Sequence, residues 1–210
     1  MKIYKSVLFL FLYCFVFANS CGGNVDTPDS FTTKPESFYT VLADENLQES
    51  HKVAILQALN EWAEKTNNTL TYKLSFVDMS QEKADASNPH TIKIYVRDPG
   101  VGYLGWTSWE SRNHSAYTFI RPSIDGELFR RVMLHELGHA FNLHFGDDTH
   151  YVGAYESVMH PSIGEASSHL CCPELQAFCN EYGCQVDCMN TVKPKTNPIV
   201  NYSWKETELP

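Results

Sequence analysis

Positive charge is scarce in this chain: 16 Lys and Arg stand against 25 Asp and Glu, a formal net charge of −9. That balance provides no basic stripe for nucleic acid and no attraction to an anionic bilayer. Long apolar runs are equally scarce. The longest, Val7 to Phe17, is too short and too close to the start for a spanning helix. No internal repeat is present, which excludes solenoids and propellers. No Cys-x-x-Cys pair occurs among the seven cysteines, so a second, structural zinc module is disfavoured. Only about 15 residues, 21–35, separate the N-terminal segment 1–20 from the expected domain, which leaves no room for a large inhibitory prosegment.

Lys2 and Lys5, the apolar run and Ala18-Asn19-Ser20 together read as an export signal over residues 1–20. The Cys21-Gly22-Gly23 that follows resembles the start of a bacterial lipoprotein, although Ala18 stands where such signals usually carry leucine. The expectation is an outer-membrane, periplasmic or cell-surface lipoprotein tethered through Cys21, with plain secretion as the alternative. Sequons begin at Asn67, Asn113 and Asn201 and matter only in a eukaryotic host. Removing Lys2 and Lys5 with the signal takes the charge from −9 to about −11. Residues 21–35 read as a linker, 36–190 as one domain large enough for a core, and 191–210 as a tail.

One segment carries most of the chemistry: His135-Glu136-Leu137-Gly138-His139-Ala140-Phe141-Asn142-Leu143-His144. Four residues apart on a helix, His135 and His139 project from one face and can converge on one Zn²⁺. Glu136 then sits beside the metal, where it can take a proton from a zinc-bound water and so produce the hydroxide that attacks a peptide carbonyl. The segment closes an amphipathic helix from about Asp125 to Asn142, with Ser123 or Asp125 as N-cap. Leu128, Phe129, Val132, Met133, Leu137, Ala140 and Phe141 form its apolar stripe. Asn142 tolerates the left-handed conformation used at helix ends and can turn the chain back toward the metal.

The rest of the domain reads as a strand over 38–42, then a helix capped by Ser50. Val53, Ile55, Leu56, Leu59, Trp62 and Ala63 are its expected buried side, and Asn67-Asn68 ends it. Strands follow over 69–77, 92–96 and 116–120. A polar loop covers 78–90, and Gly102 to Trp106 is either a sheet edge facing the cleft or a hairpin. This order predicts an α+β sandwich in which two long helices back a mixed twisted sheet. Cys171, Cys172, Cys179, Cys184 and Cys188 mark a Cys-rich C-terminal subregion, read as disulfide-stapled in an oxidising compartment.

With the motif and its context stated, the chain resembles the metzincin zinc endopeptidases, most of all their matrixin-like branch. Their pattern is His-Glu-x-x-His-x-x-Gly-x-x-His followed by a tight methionine-containing turn. His135, Glu136 and His139 match it position for position, and Ser157-Val158-Met159-His160-Pro161 is similar to the methionine turn. A Ser-x-Met-His turn is also astacin-like. The similarity extends over about residues 36–185 and takes in Ala58 to Trp62 and Pro173 to Ala177. It implies Met159 as a floor beneath the zinc and a substrate pocket lined by the segment from His160 and Pro161 to Ile163.

Two departures stand out. Asn142 replaces the family's glycine, and the third histidine arrives one residue early, because strict register puts Phe145 at the ligand position. His144 is the expected third ligand; His150, Asp147, Asp148 and Glu156 are alternatives. Asp147 and Asp148 are too few for a calcium site to be read from them. The resemblance implies one catalytic Zn²⁺, Glu136 as general base, a protein or peptide substrate and a monomer. The competing reading is a catalytically silent lipoprotein that keeps the metzincin scaffold for binding.

Overall fold

A computed structural model describes residues 37–186, all within the unit Lys34–Pro210. The expected signal over 1–20, Cys21, the expected linker over 21–35, Cys188 and the expected tail over 191–210 lie outside the described residues.

The element order is β1 (Phe38–Asp44), α1 (Glu49–Lys65), β2 (Thr71–Val77), β3 (Thr91–Val96), β4 (Gly105–Glu110), β5 (Ser115–Ile120), α2 (Gly126–Ala140) and α3 (Cys172–Tyr182). Among the described residues, five strands form one sheet in the order β2-β1-β3-β5-β4. β1 pairs in parallel with β2 and with β3, and β3 with β5, whereas β4 runs antiparallel to β5. The result is the expected mixed α+β architecture, with α1 and α2 packed against each other and against the sheet. No described helix is long and apolar enough to cross a membrane.

Alternation explains the sheet's core face. Tyr39, Val41 and Ala43 of β1, Ile92 and Ile94 of β3, and Ala116 and Ile120 of β5 are buried in the main cluster. On β3 the opposite face is covered as well. Lys93 Nζ reaches Asp85 at 2.9 Å, and Tyr95 Oη donates to the Lys83 carbonyl at 2.9 Å. The polar loop after β2 thus folds over residues that would otherwise be solvated.

The helices depart from expectation in phase and ends. Helix α1 starts after Gln48 rather than Ser50, and buries His51, Ala54, Ile55, Ala58, Leu59 and Trp62. Val53 and Leu56 are exposed: the true stripe runs through small alanines and one histidine, which a search for large apolar residues passes over. His51 belongs inside because its ring stacks on Phe129 at 4.4 Å and its Nε2 meets the Ile124 carbonyl at 3.1 Å. Leu128 of α2 is likewise exposed, while the other six residues of its expected stripe are buried. Cys179 of α3 and Cys184 just beyond it form a disulfide, and Cys172 is disulfide-bonded too.

Candidate metal centre

Helix α2 carries His135, Glu136 and His139 into the interior; the first two are 1% and 3% exposed. His135 Nδ1 lies 2.7 Å from the Val158 carbonyl. A carbonyl only accepts, so Nδ1 carries the proton and Nε2 is the bare nitrogen. That Nε2 lies 3.0 Å from His139 Nε2. Burial, reinforced by the neighbouring imidazole of His139, holds His135 well below the ordinary histidine range. Burial also brings His139 down to about 3. Both rings are therefore neutral at neutral pH, the form that binds metal.

The end of α2 decides the third position. Asn142 takes φ 57, its N–H donates to the His139 carbonyl at 3.0 Å, and the Leu143 N–H donates to the Gly138 carbonyl at 3.1 Å. These two bonds define a Schellman turn with Asn142 as the left-handed residue. The turn sends Leu143 into the core and leaves the next residue outside. His144, expected as the third ligand, is exposed, with Nε2 2.7 Å from Asn142 Oδ1. The chain then doubles back through Phe145, whose N–H donates to the Asp148 carbonyl at 2.8 Å. His150 follows, held by Asp148 Oδ1 on its own N–H and by the adjacent Tyr151 N–H donating to the Met159 carbonyl at 3.0 Å. His150, the alternative, stands where His144 was expected.

His135, His139 and His150 each offer a ligand atom, all within 4.8 Å of one another, so the group could hold a metal ion. Nitrogens about 2.0–2.1 Å from a tetrahedral zinc stand about 3.3 Å apart. The α2 pair is close to that spacing at 3.0 Å, and the His150 ring centroid lies 5.2 and 4.9 Å from those of His135 and His139. Asp147, Asp148 and Glu156 join no such group among the described residues.

Met159 is fully buried and reaches the helix because Gly138 leaves room: a Cβ there would collide with Met159 Sδ. The methionine turn is fastened by Glu174 of α3. Glu174 accepts from Ser157 Oγ at 2.8 Å, from the Val158 N–H at 3.3 Å and from the Cys171 N–H. Burial pushes the Glu174 carboxyl up to about 7 against these donors. Pro161 lines the cleft. Met159 and His160 do not: His160 is buried with Nε2 3.3 Å from Glu165 Oε2, so it packs beside the pocket rather than into it. Arg131 fixes the segment beyond, donating to the carbonyls of Ile163 and Ala166 at 2.7 and 2.6 Å.

Glu136 faces a cleft of about 540 Å³ with β4 along one wall and the histidines along the other. Burial pushes its carboxyl up to about 8, and a hydrogen bond from Thr107 opposes that rise. Glu174 and Thr107 are the residues that sequence reading does not assign. Glu174 stands three positions after Cys171, the spacing of a capping box, which signals a helix start but not its grip on Ser157. Nothing local marks Thr107.

No family model matches the chain, and no curated protein matches it. Among solved structures it is similar to two of myroilysin, each at 14% identity and over 72% of this chain. One match covers 95% of the other chain with a TM-score of 0.43, the second 86% with a TM-score of 0.44. At that depth a likeness assigns neither family nor activity.

Proposed function

We propose that this chain is an exported, metzincin-like zinc endopeptidase, with His135, His139 and His150 as the metal-holding side chains and Glu136 as general base. The observation that carries the proposal is the convergence of three imidazoles beside a buried carboxyl at the floor of a cleft. When bound, zinc supplies a Lewis acid that acidifies water, polarises a carbonyl and favours the ionised form of a neighbouring carboxylate. The protein's own groups do the rest. The Glu136 carboxylate takes one proton from the attacking water as the new carbon–oxygen bond forms. It returns that proton to the amine as the carbon–nitrogen bond breaks. Val158, through its carbonyl, keeps the His135 ring in one tautomer.

Substrate orientation is assigned to β4. It is the end strand of the sheet and lines the cleft, so an extended peptide can add along its outer edge by backbone hydrogen bonding. The export signal over 1–20 and lipidation at Cys21 belong to the same proposal on sequence grounds.

The test is digestion of a mixed peptide library by zinc-loaded protein. Cleavage should disappear with chelator and return with zinc. Glu136→Ala should keep its zinc and lose about a hundredfold or more in rate, the usual contribution of a general base. Failure of the zinc-loaded wild type to cleave any peptide would favour the silent binding scaffold.

A further inference from the structure

Resting on the endopeptidase reading, we infer that Gly105 and Thr107 of β4 are positioning residues that fix the Glu136 carboxylate so that Oε1 is its proton-accepting atom. Thr107 Oγ1 lies 2.6 Å from Glu136 Oε2 and 2.9 Å from Thr118 Oγ1. A hydroxyl has one proton to give. With the Thr107 proton on the carboxylate, Thr118 must donate to Thr107, and the chain of donors runs Thr118 to Thr107 to Glu136 Oε2. Thr118 sits directly across from Thr107 in the β4–β5 register and is fully buried, so the sheet keeps the two hydroxyls within hydrogen-bond reach; the Glu136 carbonyl, 3.3 Å from Thr107 Oγ1, is the more distant acceptor. Oε2 is thereby occupied, and among the described residues no hydrogen bond reaches Oε1.

Gly105 fixes the other side. It lies two residues before Thr107 and therefore on the same face of β4. A Cβ there would stand 2.5 Å from Glu136 Oε1 and 2.8 Å from both Cδ and Cγ. The missing side chain is thus the space that the glutamate occupies, held between an α-carbon and a hydroxyl. In the proposed reaction the water's O–H bond breaks, its proton goes to Oε1, and Oε2 keeps its bond to Thr107 throughout. The strand assigned to the substrate also aims the base, so both are registered to one backbone.

Two experiments separate this inference from the reading it rests on. In zinc-loaded protein, Thr107→Val should lower kcat on the order of tenfold with KM little changed, because orientation rather than binding is lost. Thr107→Ser should restore it, and all variants should bind one zinc. In metal-free protein, Gly105→Ala should lower the melting temperature when Glu136 is present. The same substitution should have little effect in a Glu136→Ala background, a coupling that does not depend on activity. An inactive wild type showing that coupling would defeat the endopeptidase reading and leave the steric arrangement standing. Unchanged kcat in Thr107→Val, or equal melting shifts in the two backgrounds, would overturn the inference. Should Thr107→Val not fold, the melting comparison decides.

Discussion

Gly138 shows how one residue can serve two neighbours. A glycine inside a helix normally costs about 1 kcal/mol against alanine, yet here alanine would meet Met159 Sδ and, at 3.5 Å, Leu143 Cδ1. Overpacking of that kind costs about 1–3 kcal/mol, so Gly138→Ala is expected to destabilise the protein. In a Met159→Ala background the same change should become neutral or favourable. Chemical denaturation of the four variants measures this directly. Glu174 yields a second expectation at this scale. Burial raises its folded-state carboxyl to about 7 from the ordinary 4.5. As pH rises between those values the unfolded chain gives up its proton while the folded chain keeps it. The contribution of Glu174 to stability is therefore full below pH 4.5 and is lost as pH rises through 7, by ~3 kcal/mol. Glu174→Gln should flatten that part of the unfolding profile; an unchanged slope would place the titration elsewhere.

Among the elements, the end of α2 separates what is legible in the sequence from what is not. The period of apolar residues reveals the helix, and Asn142 was identifiable as its left-handed terminator, as its φ of 57 bears out. Which side chain then returns to the histidine pair is not a local property. Leu143 wins the inward position because an apolar residue there completes the Schellman turn, and His144 is left in solvent. The return of His150 depends on the Tyr151–Met159 hydrogen bond, a contact with the methionine turn that no spacing rule contains. Asn142→Gly should be tolerated, since glycine takes the same conformation freely. Asn142→Ala should cost about 1 kcal/mol for forcing a Cβ into the left-handed region; equal stability of the two variants would contradict this account of the turn. The face of α1 was obscured for a different reason, since alanines carry little hydrophobic signal even when they form the contact.

For the whole molecule, β1, α1, β2, β3, β5 and α2 were readable in order because those strands alternate and those helices each have their own stripe, whereas β4 (Gly105–Glu110) was not assigned as a strand. Nor was the sheet order readable, because β4 doubles back antiparallel on β5 and β2 lies at the far edge. That arrangement places Thr107 over Glu136, 29 residues away in sequence. It also concentrates the fold's constraints around one centre: α2 supplies two imidazoles, the loop before the methionine turn supplies the third, and α3 fastens that turn through Glu174. Zinc binding should consequently stabilise the whole domain, by about 2.7 kcal/mol when zinc is present at 100 times its Kd, visible as a concentration-dependent rise in melting temperature.

The most direct test of the metal centre is zinc stoichiometry by equilibrium dialysis for wild type, His144→Ala and His150→Ala. The expected result is one tightly bound zinc per chain in wild type and in His144→Ala, with loss or marked weakening in His150→Ala. Zinc retained by His150→Ala and lost by His144→Ala would contradict the assignment.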